Sequence, residues 1–312
     1  MEEERDRRSV GGGVSCSHVV RNEFASQRKD KYLGNWPQGG SEYDMLESVM
    51  NAHRREPGKQ MIPMKTYDDI AEWYDQWIGA HPMNEDPFFP AVEALMGEVA
   101  GLRLCDLACG QGRVARHLAN RGARVVGIDL SAKLLAIARR HEETNPRGIE
   151  YVQADAQNLS EQVLGLFDGV VCFLALMDIP DLPSTLHSVA RILRPGGCFV
   201  FAILHPCFHT SQSGERETPE GAVRTIRKYF VEGYWRSDTR PGPPGKIGAY
   251  HRTLSTYVNT LTDAGLQLMH VNEPGAPSTM VDSPSLSHLN RSVWQEVPTV
   301  LVASCRKRKE KA

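Results

Sequence analysis

The sequence predicts an α/β fold built on a mostly parallel sheet with helices on both faces. Three observations carry this. Residues 102–131, LRLCDLACGQGRVARHLANRGARVVGIDLS, read as a strand, a glycine turn, a helix and a second strand. Short apolar runs bounded by turn residues then alternate with segments of helical period along the rest of the chain. Finally, 312 residues that are 41% hydrophobic and 24% charged are enough for one large domain with extensions.

The elements follow in order. Residues 1–60 are rich in Arg, Glu, Ser, Gly and Asn, a composition that buries too little surface to order itself, and they are expected to form a mobile extension. Tyr32, Trp36 and Tyr43 within it are candidates for a flap. Thr66 and Asp69 have the capping-box spacing, and Ile70, Trp73, Tyr74, Trp77 and Ile78 recur at helical intervals, so Tyr67–Ile78 is an amphipathic helix. A second helix is expected over Pro87–Val99, with its proline in the first turn. Leu102–Leu107 is a buried strand, and Gly110 and Gly112 allow the backbone to turn sharply at the positive end of the next helix, Arg113–Asn120. Gly122 suits its left-handed cap. The second strand, Arg124–Ile128, ends in Asp129, and Ser131 caps a helix over Ala132–His141.

Ile149–Gln153 is a third strand, followed by Asp155. Asp168–Leu174 is a fourth, Leu182–Leu193 a helix, Arg194–Gly197 a turn, and Cys198–Leu204 a fifth strand. Residues 206–250 are polar with interspersed aromatics and read as a lid insertion, because loops this long inside a domain are usually functional or disordered. A helix over Leu254–Ala264 stopping at Gly265, and strands at Gln267–Val271 and Thr299–Ser304, complete the pattern. The domain is placed at 61–306, and residues 307–312 form a basic tail.

Two nucleotide-binding readings compete for the first turn. Gly110, Gly112 and Ala115 satisfy the dinucleotide pattern G-x-G-x-x-G/A, with Asp129 suitably placed to accept ribose hydroxyls. Asp106 discriminates, because it puts a carboxylate at the strand end where a negative pyrophosphate would approach, and like charges repel in a low-dielectric crevice. A cofactor that is cationic there, such as S-adenosylmethionine, is attracted instead.

Asp106-Leu-Ala-Cys-Gly-Gln-Gly112 resembles motif I, D-x-G-x-G-x-G, of the class I S-adenosylmethionine-dependent methyltransferases, with Ala108 in place of the first glycine. The helix stretch TYDDIAEWYDQW resembles the cofactor-covering helix of the small-molecule, quinone-biosynthesis type, and LRPGG before a hydrophobic strand is similar to a further hallmark. The resemblance implies a Rossmann-like sheet of order 3-2-1-4-5-7-6 with strand 7 antiparallel. It implies that Asp106, Ala108, Gly110 and Gly112 hold the methionine end, that Asp129 with Leu130 takes the ribose, and that Asp155 with Ala156 takes the adenine. It also brings Tyr74, Phe173 and Leu174 to the cofactor. Met177 stands where many relatives have histidine, which makes the acceptor pocket more apolar.

In open α/β sheets ligands bind beyond the carboxyl ends of the strands. His205, at the end of the fifth strand, is therefore the first candidate for a general base, and His251 the second. His205, Cys207 and His209 also read as metal ligands, but a fourth ligand is not identifiable, and no metal is assigned. A net charge of −2 argues against nucleic acid, and no apolar run approaches the roughly 18 residues of a membrane span. Seven scattered cysteines, an odd number, and an N-terminus without an apolar core fit a soluble cytoplasmic protein. The sequence does not fix the oligomeric state. The expected activity is methyl transfer to an oxygen, nitrogen or carbon of a small molecule; the alternatives are an NAD(P)-dependent oxidoreductase and a non-catalytic S-adenosylmethionine-binding protein.

Overall fold

The computed structural model describes residues 66–79, 86–236, 242–275, 293 and 296–308. All belong to one compact unit, Pro63–Ala312. The expected mobile extension at 1–60, with Tyr32, Trp36 and Tyr43, lies outside the described residues.

Seven strands form one sheet: β1 (Arg103–Leu107), β2 (Arg124–Asp129), β3 (Glu150–Gln153), β4 (Phe167–Phe173), β5 (Leu193–Leu204), β10 (Leu266–Asn272) and β11 (Val300–Lys307). Their order is β3-β2-β1-β4-β5-β11-β10. The first five are mutually parallel, and β11 runs antiparallel to both β5 and β10. This is the expected order 3-2-1-4-5-7-6, with β10 and β11 as the sixth and seventh strands in sequence.

Alternation with period two sends the strand side chains to two apolar layers. Phe199, Phe201 and Ile203 of β5 face one layer, with Cys172 of β4 and Ile128 of β2. Val200 and Ala202 face the other, with Val171, Leu104 and Val125. The helices α2 (Phe89–Met96), α3 (Arg113–Asn120) and α4 (Ala132–Thr144) cover the second layer through Phe89, Val92, Leu118 and Leu135. The helices α6 (Leu182–Ile192) and α8 (Leu254–Asp263) cover the first through Leu186, Val189 and Leu261. Each such side chain, withdrawn from water, contributes roughly 1.5–3 kcal/mol, so both faces hold the sheet.

Helix α1 (Tyr67–Gly79) starts at the expected capping box, where Thr66 donates from its N–H and hydroxyl to Asp69 Oδ2 at 2.7 and 3.0 Å. It packs on α4 through Ala71 against Leu134 and Ile137. Helix α2 is shorter than expected, because the Asp86 carboxylate accepts the N–H groups of Phe88 and Phe89 and so fixes a later start. Gly97, at φ 69°, then ends the helix. Gly122 has φ 84° just beyond α3, as its expected cap requires. A short helix, α5 (Glu161–Leu164), precedes β4.

Two expectations need correction. Arg194–Gly197 is not a turn ahead of β5 but its first part. A register shift opposite Phe167 and Gly169 absorbs the left-handed Gly196, and Arg194 pairs with Asp168. The stretch read as a lid insertion carries strands of its own. It contains the antiparallel hairpin β6 (Gly214–Thr218) with β7 (Gly221–Thr225). A second pair, β8 (Gly233–Trp235) with β9 (Ala249–His251), brackets the short helix α7 (Pro243–Lys246). Lys307, expected in the basic tail, is the last residue of β11.

Candidate functional site

The site grows from the turn after β1. Parallel register places Leu107 beside Ile128, so the ends of β1 and β2 open on the same edge of the sheet. The chain then turns through three left-handed residues, Ala108 (φ 55°), Gly110 (φ 55°) and Gly112 (φ 81°), before α3 begins. For glycine this backbone is unstrained, but at Ala108 the Cβ crowds the peptide. Under the turn lies the Tyr151 ring of β3. It occupies the space a Cβ on Gly127 would need, 2.8 Å from its nearest ring carbon, and a Cβ on Gly112 would strike its hydroxyl. Both glycines are thus required by the packing of one buried tyrosine.

Two acids fix the turn. Asp106, 1% exposed, accepts the N–H of Ala115 at 2.9 Å and so ties the end of β1 to the first turn of α3. Asp129 accepts the N–H of Gly110 through Oδ2 and that of Ser131 through Oδ1, each at 2.8 Å. Burial pushes Asp106 up to about 8 against the Ala115 hydrogen bond, with Asp129 adding to the rise. Asp129 is also raised, again chiefly by burial. A nearby positive charge would favour both ionised forms.

Helix α1 covers the turn. Its Asp68 accepts the Ser131 hydroxyl at 2.6 Å and the Lys133 N–H at 3.1 Å, so it joins Ser131 in capping α4. Tyr74 consequently lies over Gly110, in ordinary contact distance of where a Cβ there would be. Helix α7 meets the same helix from the other side. Lys246 Nζ stands 4.9 Å from the centre of the Trp73 ring, and Gly242 abuts Trp77.

Tyr74, Asp106, Ala108, Gly110 and Phe173, all expected at the cofactor, line one cleft together with Gln111 and Arg113. Arg113 is held there by Asp86 at 3.1 Å. Gly112 sits at the N-terminus of α3 and Asp129 on the far side of the Gly110 amide. Leu130 is 63% exposed beside it. Asp155 caps the turn Ala156–Asn158, accepting both the N–H and the side-chain amide of Gln157. Ala156 itself is buried. Leu174 takes φ 53°, and its N–H is spent on the Ala202 carbonyl at 2.9 Å.

The two histidines are placed differently. His205, 2% exposed, has Nε2 at 2.6 Å from Glu273 Oε1, while its Nδ1 accepts the Cys207 N–H at 3.2 Å. His251 has Nε2 at 2.7 Å from the Tyr229 carbonyl. Neither lines the cleft. No group of three or more His, Cys, Asp or Glu among the described residues is arranged around a metal position, and no described helix is long and apolar enough to cross a membrane.

Sequence reasoning missed Tyr67, Asp68, Asp178 and Arg252. Asp68 and Tyr67 carried a signal as polar positions in the first turn of a helix already read as a cover. Arg252, alone before a helix, carried none. It is 8% exposed and donates to the carbonyls of Leu176, Ile179 and Pro180 at 3.2, 2.6 and 2.7 Å.

Residues 105–201 match the methyltransferase domain family. The ubiquinone biosynthesis O-methyltransferase of Alkalilimnicola ehrlichii is 33% identical over 137 residues, which cover 43% of this chain and 56% of that protein. Its counterpart in Aromatoleum aromaticum is 38% identical over 148 residues, 46% of this chain and 63% of that one. The matches therefore span only about three fifths of these curated relatives. A crystal structure of an S-adenosylmethionine dependent methyltransferase from Mesorhizobium loti is 32% identical, covers 72% of this chain and 99% of that one, and superposes with a TM-score of 0.61.

Proposed function

The chain belongs to the S-adenosylmethionine-dependent methyltransferases of class I, and from that premise we propose that it methylates a hydroxyl oxygen of a small, largely apolar molecule. The residues present fit the cofactor. Asp106 is a buried carboxylate that its own surroundings push toward the neutral form, and a positively charged ligand group would restore its charge. Asp129 spends one backbone donor on each oxygen and keeps acceptor capacity for a diol.

We assign the methionine end to Asp106 and the turn at Ala108–Gly112, the ribose to Asp129, and the adenine side to Leu130, Asp155 and Ala156. Phe173 and Leu174 face the reacting end, and Tyr74 with α1 excludes water from above. When bound, the cofactor supplies an activated methyl group on a sulfonium. The protein's task is then alignment, which is worth roughly 7–11 kcal/mol, against about 3–5 kcal/mol for a general base.

The acceptor assignment draws on the relatives' O-methylation and on Met177, which is buried where an apolar pocket wall is expected. The observation that carries the whole reading is the buried Asp106 carboxylate beside a turn whose backbone lines an open cleft. A pyrophosphate beside it would hold the carboxyl protonated and gain no attraction from it, which disfavours a nicotinamide dinucleotide.

Two measurements test this. Calorimetry should show binding of S-adenosylhomocysteine and none of NAD. Incubation with labelled cofactor and a panel of catechols, carboxylates and amines should label a phenolic oxygen. Cofactor binding with no labelling anywhere in the panel or in a metabolite extract would favour a non-catalytic binding protein instead.

A further inference from the structure

A carboxylate not assigned to the cofactor lies behind the cleft wall formed by Phe173 and Tyr74. Asp178 closes the turn Leu176–Asp178 just past the end of β4, whose Phe173 lines the cleft. Its Oδ2 accepts the phenolic O–H of Tyr67 at 2.7 Å, across 111 residues of chain. Among the described residues, none donates to Oδ1. The Tyr67 ring stands edge-on to that of Tyr74, 5.2 Å between centres, and Tyr74 is a wall of the cleft. From the opposite side Arg252 holds the carbonyls that flank Asp178 in the chain, those of Leu176 and Ile179. The carboxylate is therefore fixed in direction by two elements remote in sequence, one of them the helix that covers the cofactor.

We propose that Asp178 accepts the proton of the acceptor's hydroxyl and that Tyr67 is the residue that positions it. The inference rests on the reading of the chain as an O-methyltransferase. In the step, an electron pair of the acceptor oxygen forms the new bond to the methyl carbon. The carbon–sulfur bond breaks with its pair left on sulfur, and the hydroxyl proton passes to Asp178 Oδ1. The products are a methyl ether, a neutral thioether and a protonated Asp178, which returns its proton to solvent.

The alternatives among titratable groups are less well placed. Both ring nitrogens of His205 are engaged within the protein, and Nε2 of His251 is held by a backbone carbonyl. The groups facing Asp178 are Tyr67 and Tyr74 of α1, Asp129 of β2, Cys172 of β4, Arg252 ahead of α8 and Tyr257 within it. Burial raises Asp178 to about 7, the Tyr67 hydrogen bond and Arg252 acting downward and Asp129 upward. A base near neutrality both stays ionised and takes a proton usefully at working pH.

The test uses the full chain and the variants Asp178→Asn and Tyr67→Phe. Carbon NMR of aspartate labelled at the side-chain carboxyl should show a group titrating near neutral pH that is missing in D178N. In Y67F its midpoint should move upward, since the phenol's hydrogen bond favours the anion. With a catechol that the wild type methylates, D178N should lose about 10²- to 10⁴-fold in single-turnover rate. Its affinity for S-adenosylhomocysteine should stay within a few-fold of wild type, which also verifies folding. Y67F should retain more activity, with the acid limb of its pH profile moved upward.

A wild type that methylates no catechol defeats the O-methyltransferase reading, and this inference with it. A wild type that is active while D178N is equally fast, or lacks no near-neutral carboxyl, overturns Asp178 alone.

Discussion

The N–H of Gly110 donates to Asp129 Oδ2 at 2.8 Å, joining the tip of β2 to the turn that follows β1. One carboxylate thereby sets the shape of the turn, and its remaining lone pairs are the ones the proposed ribose contact would use. The fingerprint spacing read in the sequence has this bond as its physical content. Glycine suits the position because its φ of 55° is left-handed, where a side chain would be strained.

Asp129→Ala should therefore weaken cofactor binding by about 100-fold or more. It removes two hydrogen bonds to a charged acceptor, each worth about 1.5–3 kcal/mol, and releases the turn as well. Calorimetry with S-adenosylhomocysteine measures it. An unchanged affinity would contradict the ribose assignment.

The central sheet was readable because its strands are apolar runs, such as Val125–Ile128 and Val170–Phe173, bounded by glycine or acidic turn residues. The cover helix was readable from its period. The bonds that turn these elements into a site were not. Asp68 reaches Ser131 across 63 residues and Tyr67 reaches Asp178 across 111, and no local pattern encodes such pairs. The hairpins after β5 were missed because their strands are short, glycine-bounded and polar, so neither alternation nor length marks them. Histidine partners were equally hidden: residue type drew attention to His205, and no local pattern encodes that Glu273, 68 residues on, meets its ring while the Cys207 amide uses the other nitrogen.

Asp106 predicts a dependence of stability on pH. Its value in the folded protein, about 8, lies above the ordinary 3.8, so the folded state keeps a proton that the unfolded chain releases. That stabilisation is complete below about pH 4 and is lost as pH rises toward 8. The urea midpoint of the free protein should accordingly fall between pH 5 and 8, and Asp106→Asn should remove much of the fall. A cationic cofactor reverses the preference. S-adenosylmethionine should raise the midpoint more at pH 8 than at pH 5, with proton release on binding visible when calorimetry is repeated in two buffers of different ionisation enthalpy.

Ala108→Gly should stabilise the protein by about 1 kcal/mol. The residue sits at φ 55°, where a side chain costs of order 1–2 kcal/mol, and only part of that is offset by the extra freedom glycine gives the unfolded chain. A urea titration at fixed pH decides it. The converse substitution at Gly127 should be destabilising by about 1–3 kcal/mol, because a Cβ there meets the ring of the buried Tyr151 at 2.8 Å.

His205→Ala should cost stability and spare catalysis. The imidazole is 2% exposed, its Nδ1 accepts the Cys207 N–H, and its Nε2 faces Glu273, so it anchors the exit of β5. Removing it leaves the Cys207 amide without its acceptor and opens a cavity against Phe208, whose ring centre is 4.8 Å away, for a loss of about 2 kcal/mol or more. Because both ring nitrogens are engaged within the protein, the methylation rate should remain within about tenfold of wild type from pH 6 to 9, less than the roughly 10²-fold floor for losing a general base. A fall of 10²-fold or more in a variant that still binds S-adenosylhomocysteine normally would instead return the base role to His205.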